Sequence, residues 1–367
     1  MLSQLTAHRR ALHRIPELGD QLPKTQAYIL SQLKGLRCRI IEPGRHAVLA
    51  FFDAGCPDAV AFRSDMDALP IEEKTGVDFC SVHPGRMHAC GHDGHMAMLL
   101  TFAQWLDQNL SALSRNVLLV FQPAEETTGG AQDICRTGIF GELKVRQIFG
   151  IHLWPELPAG VIGTRPGPMM ARTNEVTVEI EGKSAHIAKW QQGIDAMEAG
   201  AQFLCRAYQM AESELPADRF RVFRFGLLQS GTVSNAVSAH TRIEGTLRTF
   251  QEDVFEHITR RAAEIAHQLE GETGCRIQVH FSKGYPPVRN DPDLYDRAAA
   301  LLGPEGFTTL AEPVLIAEDF SFYQQELPGL FFFLGTGGDL PLHADRFGFD
   351  ESILESGVSL YQKLLAL

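Results

Sequence analysis

No stretch of the chain approaches the roughly 18 consecutive apolar residues that a membrane-spanning helix needs, so no membrane partner is expected. The first residues, Met1-Leu-Ser-Gln-Leu-Thr-Ala-His-Arg-Arg10, have neither a long apolar core nor a small-residue cleavage site and are not read as a secretory signal. Basic residues are scarce: 33 Lys and Arg stand against 45 Asp and Glu, a formal charge of −12. That balance, with no basic run interleaved with aromatics, argues against a nucleic-acid partner. Cysteine is sparse too, with seven residues at 38, 56, 80, 90, 135, 205 and 275 and no Cys-x-x-Cys pair. A disulfide framework is not expected from that scatter, and thiols that stay free or bind metal suit a reducing cytoplasm. The six cysteines other than Cys90 are expected to be buried small apolar residues. Internal repeats and low-complexity tracts are absent.

What is present suffices for two hydrophobic cores. A chain of 367 residues exceeds the usual size of one, and an apolar share of 44% with 21% charged is ordinary for a globular protein. Residues 3–35 read as helix, broken at Pro16 in His13-Arg-Ile-Pro-Glu-Leu-Gly19. Strand candidates at 59–62, 116–121 and 145–151 alternate with helices near 92–106 and after Gly129-Gly130, the pattern of an α/β domain. The runs 116–121 and 330–334 are apolar throughout, as in strands covered on both faces. From about residue 173 the pattern changes, and Glu175-Val-Thr-Val-Glu-Ile-Glu181 alternates as a strand with one solvated face does. Helices near 195–209 and 252–270 and strands near 220–228, 239–250 and 276–281 complete a β-α-β-β-α-β order, that of a ferredoxin-like α+β unit. The expected organisation is an α/β domain of 1–172 and 285–367 with residues 173–284 inserted. An exposed sheet edge in the insert would offer a strand-to-strand contact with a second copy.

Residues 88–95, His88-Ala-Cys-Gly-His-Asp-Gly-His95, are hard to explain as packing. Thiolate and imidazole are ligands for zinc and similar ions, and a Cys-x-His pair can present both to one site. Asp93 as a helix cap is the plainer reading of part of this stretch. Further candidates fall at or after strand ends, where α/β sheets gather their chemistry: Glu125 and Glu126 behind Pro123, His152, and His343. If Cys90, His92, Glu126, His152 and His343 converge, five ligands exceed one tetrahedral zinc centre unless one bridges two metals. Two ions about 3.5–4 Å apart can polarise a carbonyl and generate hydroxide from water. Glu125 could then act as general base; the alternative is a solvated acidic pair. His88 and His95 read as support for the ligands or as helix-surface groups. Asp93, or Asp65 and Asp67, could accept from a ligand imidazole. Glu318 could support His343 or the metal water, or cap a turn, and the phenylalanines 331–333 read as core.

Taken together, the 88–95 stretch, Phe121-Gln-Pro-Ala-Glu-Glu126, Gly150-Ile-His-Leu-Trp-Pro155, Gly182-Lys-Ser-Ala-His186, Glu244-Gly-Thr-Leu-Arg-Thr-Phe250 and Glu318-Asp-Phe320 resemble the amidohydrolase branch of the M20 metallopeptidase family. That branch includes hippurate hydrolases, indole-acetyl-amino-acid hydrolases and N-acetyldiaminopimelate deacetylases. The motifs run in family order from His13 to His343, so the resemblance covers nearly the whole chain. It implies a mixed-sheet catalytic domain of zinc-peptidase type with an inserted lid and dimerisation domain. It also implies a dinuclear site of Cys90, His92, Glu126, His152 and His343, with Cys90 at the position of the bridging ligand and Glu125 at that of the base. His186 matches a lid histidine that, in the family, can enter the partner subunit's site and stabilise the oxyanion; alone it reads as a polar turn residue. Asn235 matches a lid position near the substrate, and Arg248 could grip a carboxylate. Where many relatives carry Gly-Gly-His-Ala-Ala-x-Pro-His, this chain has Ser184-Ala-His-Ile-Ala-Lys-Trp190, and Leu315-Ile-Ala317 replaces the glycine-rich lead to Glu318. These departures spare the catalytic set and fall where the lid would shape the substrate pocket.

The resulting expectation is a cytoplasmic, two-domain, dimeric amidohydrolase that cleaves an N-acyl amino acid with two divalent ions. Zinc, manganese, cobalt and nickel stay open, as do acetyl, benzoyl and indole-acyl substrates. An aminopeptidase or dipeptidase of the same family is the nearest rival, although those relatives usually carry aspartate at the position of Cys90. A zinc nucleobase deaminase lacks its Pro-Cys-x-x-Cys here. A non-catalytic binding protein would have lost the base or a ligand, and all six positions are filled.

Overall fold

The apolar runs at 116–121 and 330–334 become strands whose every residue is buried, Asn116–Gln122 and Gly329–Gly335. The structure, a computed structural model, describes residues 1–303 and 306–367. They divide into two units: Met1–Met169 with Val288–Pro313 and Asp319–Leu367, and Met170–Pro287 with Val314–Glu318. The mixed sheet of the first unit has eight strands among the described residues. Their order is Arg39–Ile41, Val48–Phe52, Asn116–Gln122, Ala59–Asp65, Val145–Trp154, Gly329–Gly335, Ile162–Thr164 and Thr308–Thr309. The four central strands, Asn116–Gln122 to Gly329–Gly335 in that order, are parallel, so their carboxyl ends open on one edge of the sheet. Helix His92–Asn109 covers one face, burying Met96, Leu99, Leu100 and Phe102 among Phe62, Phe121 and Phe149. Burying each such side chain contributes roughly 1.5–3 kcal/mol. On the first unit's aromatic contacts, Phe320 meets Phe331 and Phe140 meets Tyr323, so the phenylalanines of the last strand are core.

The second unit is antiparallel, ordered Arg276–Phe281, Arg172–Glu181, His240–Thr249 and Arg221–Ser230. Val176, Val178 and Ile180 face inward onto Phe203 and Ala207 of helix Ala196–Ser213 and Ile258 and Leu269 of helix Glu252–Thr273. The chain order is β-α-β-β-α-β, with Arg221–Ser230 at the sheet edge. Two expectations need correction. Residues 314–318, assigned by sequence to the α/β domain, belong to the second unit: the Ala171 amide donates to the carbonyls of Val314 (3.0 Å) and Ile316 (3.2 Å). The cysteines other than Cys90 are not uniformly buried either; Cys80 and Cys205 are exposed, and Cys38 and Cys56 are half-buried. Cys205 falls on the outer face of a helix that buries Ala199, Phe203, Ala207 and Met210.

Candidate metal centre

Three loops and one strand end bring the sequence-derived ligands together in the first unit. Cys90 and His92 flank Gly91, whose φ of +84° turns the chain into helix His92–Asn109. A Cβ on Gly91 would stand 2.6 Å from Leu153 Cδ1, so glycine is required there on two counts. Glu125 and Glu126 follow Ala124, and His343 lies in a distant loop; Ala124 (φ 61°) and His343 (φ 67°) both hold left-handed backbone without being glycine. Such residues cost on the order of 1–3 kcal/mol and persist where the surroundings fix them. Here the Ala124 amide donates to Gly19 O at 3.0 Å, and the His343 amide donates to Ala89 O at 2.9 Å, next to Cys90.

The ligand atoms of Cys90, His92 and Glu126 lie within 4.8 Å of one another. Cys90 Sγ is 3.5 Å from His152 Nε2, and His343 Nε2 is 3.2 Å from Glu126 Oε1. His152 lies inside strand Val145–Trp154 rather than beyond its end. Hydrogen bonds settle which imidazole nitrogen faces the site. His92 Nδ1 donates to the Asp67 main-chain carbonyl at 2.7 Å, and His152 Nδ1 donates to the Leu153 carbonyl at 2.7 Å. Each therefore turns an Nε2 lone pair toward the cluster, and that of His92 is buried with no hydrogen-bond partner among the described residues.

Burial holds His92 below its ordinary pKa and takes His152 down to about 3, so both rings are neutral. Burial, reinforced by Glu126 and Glu125, pushes the Cys90 thiol well above its usual range. Burial would raise Glu126 as well, but its hydrogen bond with His343 brings it down. Two neutral imidazoles, a carboxylate and a buried thiol that needs a cation beside it in order to ionise make a donor set that fits divalent metal ions.

Among the described residues no carboxylate orients these histidines directly, contrary to one reading of the sequence, because backbone carbonyls already take the Nδ1 protons. The acids support the site otherwise. Asp67 accepts the amides of Glu125 (2.9 Å) and Glu126 (3.1 Å). Asp65 accepts from His95 Nδ1 at 2.6 Å, and Asp93 faces His13 Nδ1 at 2.8 Å and Arg9 Nε at 3.2 Å. His88 and His95 are both buried and neither is a helix-surface group. Glu125 is buried beside Glu126. The remaining predicted residues lie in the second unit. His186 is exposed, and its Nδ1 accepts the Ala188 amide at 3.1 Å, which leaves the proton on Nε2. Asn235 is exposed and its carbonyl accepts the Ile187 amide at 2.9 Å, Arg248 donates to the Leu315 carbonyl, and Glu318 is buried.

Sequence reasoning missed the buried cation behind the site. Arg63 donates to Asp65 (2.8 Å), Asp319 (2.9 Å) and Gln122 (2.9 Å), and Gln122 Nε2 donates to Asp319 at 2.7 Å. The available signal was an arginine directly after the apolar run 59–62, since a buried charge must be paired.

The model of peptidase family M20/M25/M40 matches residues 61–367. N-acetyldiaminopimelate deacetylase of Streptococcus uberis is 34% identical over 363 residues, 96% of each chain. The Lactobacillus helveticus protein of the same name is 34% identical over 374 residues, 99% of this chain and 97% of the relative. Among solved structures, a Bacillus subtilis protein described as a dinuclear metal binding peptidase from the M20 family superposes with a TM-score of 0.85 at 30% identity, covering 99% of this chain and 97% of that one. With the family model matched over residues 61–367 and relatives 34% identical over 96% or more of the chain, the chain belongs to peptidase family M20/M25/M40, whose members hydrolyse amide bonds.

Proposed function

We propose that this amide hydrolase acts on N-acyl amino acids, releasing the carboxylate and the free amine, with N-acetyldiaminopimelate the first substrate to test. The observation that carries the reading is the convergence of Cys90, His92, Glu126, His152 and His343 beside a buried Glu125. Cys90 is the proposed shared ligand of two divalent ions. When bound, zinc, manganese, cobalt or nickel would supply Lewis-acid polarisation of the scissile carbonyl and acidify water toward neutral pH. Glu125 takes one proton from the attacking water, whose oxygen adds to the carbonyl carbon. His186, with its proton on Nε2, donates to the resulting oxyanion. The C–N bond then breaks as Glu125 returns its proton to the leaving nitrogen. Asn235 and Arg248 are the proposed contacts for the amino-acid half, and the guanidinium suits a carboxylate.

The test is a hydrolysis screen with chelated protein to which defined metals are returned. N-acetyldiaminopimelate, other N-acetyl, N-benzoyl and indole-acyl amino acids, and free dipeptides are compared. Turnover of acylated substrates with dipeptides inert is expected; the reverse would move the chain to the aminopeptidase or dipeptidase reading. We also propose a homodimer that pairs the edge strand Arg221–Ser230, where Leu227 and Leu228 are exposed; a monomeric mass by light scattering would remove it. Seven unbridged cysteines support a reducing, cytoplasmic setting. Among the described residues no helix is long and apolar enough to cross a membrane.

A further inference from the structure

One turn after His92, helix His92–Asn109 buries a second imidazole that the proposed reaction does not use. The His95 ring lies with its centroid 5.4 Å from that of His92 and 4.6 Å from that of His152. Position alone would make it a ligand candidate, but both its nitrogens are committed. Nε2 accepts the Leu153 amide at 2.9 Å, so the ring proton is on Nδ1 and is donated to Asp65 Oδ1 at 2.6 Å. The other Asp65 oxygen accepts from Arg63 at 2.8 Å, and Arg63 is anchored in turn on Gln122 and Asp319.

The acceptor nitrogen meets the backbone at a particular place. Strand Val145–Trp154 pairs with strand Ala59–Asp65 only as far as the Arg63–Gly150 pair. His95 takes over beyond it, receiving an amide hydrogen three residues further on. The residue it holds is the one whose carbonyl accepts His152 Nδ1 at 2.7 Å, and that bond turns His152 Nε2 toward Cys90. We propose that His95 is a positioning residue: by accepting the Leu153 amide it fixes the strand end that aims His152, while Asp65 and Arg63 hold its tautomer. This rests on the proposed reading of His152 as a ligand. It separates two of the three histidines of the 88–95 stretch into a donor to metal, His92, and a donor to Asp65 that receives a main-chain amide, His95.

Two substitutions divide the contacts of His95. Glutamine at 95 can set an amide oxygen near the place of Nε2 and keep the Leu153 bond, whereas asparagine reaches only the place of Nδ1 and keeps the Asp65 bond. Metal affinity, measured by competition with a chelator and counted by elemental analysis, is expected to fall about 10–100-fold in His95→Asn, as for other groups behind a metal ligand. His95→Gln should be affected less, and the visible spectrum of the cobalt-loaded protein should change in the asparagine variant only. Unchanged affinity and spectrum in His95→Asn, or equal losses in both variants, would overturn the proposal. If His95→Asn fails to fold, 15N-histidine spectra of the wild-type holoenzyme decide: Nδ1-protonated His95 and His152 are expected, and an Nε2-protonated His95 overturns the assignment. His152→Asn separates the two readings. Full metal content in that variant would refute His152 as a ligand, whereas lost metal there with an unaffected His95→Asn would refute this inference alone.

Discussion

Asp67 accepts the amides of two consecutive glutamates with its two carboxylate oxygens and gives its own carbonyl to His92 Nδ1. One residue thus places the proposed base, one proposed carboxylate ligand and one proposed imidazole ligand. Adjacent glutamates can differ in role because the backbone before them is left-handed at Ala124 and is pinned from outside. Replacing Asp67 by asparagine leaves one oxygen for two amides and turns an NH2 toward the other. An unsatisfied buried amide costs roughly 1–3 kcal/mol. Asp67→Asn is therefore expected to lose about that much stability in urea unfolding and to lower kcat more than KM, since the base shifts while substrate contacts stay. An unaltered kcat would show that the placement of Glu125 does not depend on this carboxylate. Glu125→Gln keeps the shape and removes the proton acceptor, so turnover should fall on the order of 10²–10⁴-fold. Metal content should be unchanged by elemental analysis, and near-normal turnover would remove Glu125 from the base role.

At the scale of elements, helix His92–Asn109 and strand Val145–Trp154 meet at Gly91 and Leu153, where the two segments that carry candidate ligands touch. Gly91→Ala would put a Cβ 2.6 Å from Leu153 Cδ1 at a φ of +84°. A loss of about 1–3 kcal/mol by thermal unfolding, with weakened metal retention on dialysis, is the expected outcome; wild-type values in both would show that the turn tolerates a side chain. The long elements were legible because their apolar patterns are long: Asn116–Gln122, Gly329–Gly335 and Arg172–Glu181 match their periodicities. Strands such as Ile162–Thr164 and Thr308–Thr309 are too short to carry a period and exist through pairing with distant partners. The candidate donor types were legible from Cys90 and His92 through their spacing and from the acids at strand ends. Their supports were not, because a main-chain carbonyl has no signature in sequence: Asp67 O and Leu153 O do the orienting that was sought among carboxylates. Arg63 and His95 were likewise invisible as partners, since their network joins residues 63, 65, 95, 122 and 319.

At the scale of the whole molecule, the first unit is tied together across its length by a buried charge cluster. Arg9 and His13 of helix Leu2–His13 reach Asp93 in the central helix, His13 Nε2 lies 3.1 Å from Glu73, and Arg9 lies 3.2 Å from Glu351 near the far end of the chain. Burial alone would lower the pKa of His13. The charge of Asp93 and the hydrogen bonds of Asp93 and Glu73 outweigh it and raise the value to about 9, against opposition from Arg9. His88 also faces this ring, 6.4 Å away between centroids, and stays neutral because burial takes it down to about 3. Burial would raise Glu73, but its hydrogen bonds with His13 and Thr75 bring it down to about 2. A histidine whose pKa is higher folded than unfolded stabilises the fold fully below its unfolded value of 6.5, and that contribution fades as pH rises through about 9. The difference between those values corresponds to roughly 3 kcal/mol, counted once for the cluster. The carboxylate side has the opposite sign: the Glu73 contribution is present above 4.5 and is lost as pH falls through about 2. Unfolding free energy measured from pH 6 to 10 should therefore decline more steeply in the wild type than in His13→Gln, which has no proton to lose in that window. Taking the difference between the two proteins cancels the titration of Cys90 and every other shared group. Parallel curves would show that His13 is not held protonated between Asp93 and Glu73.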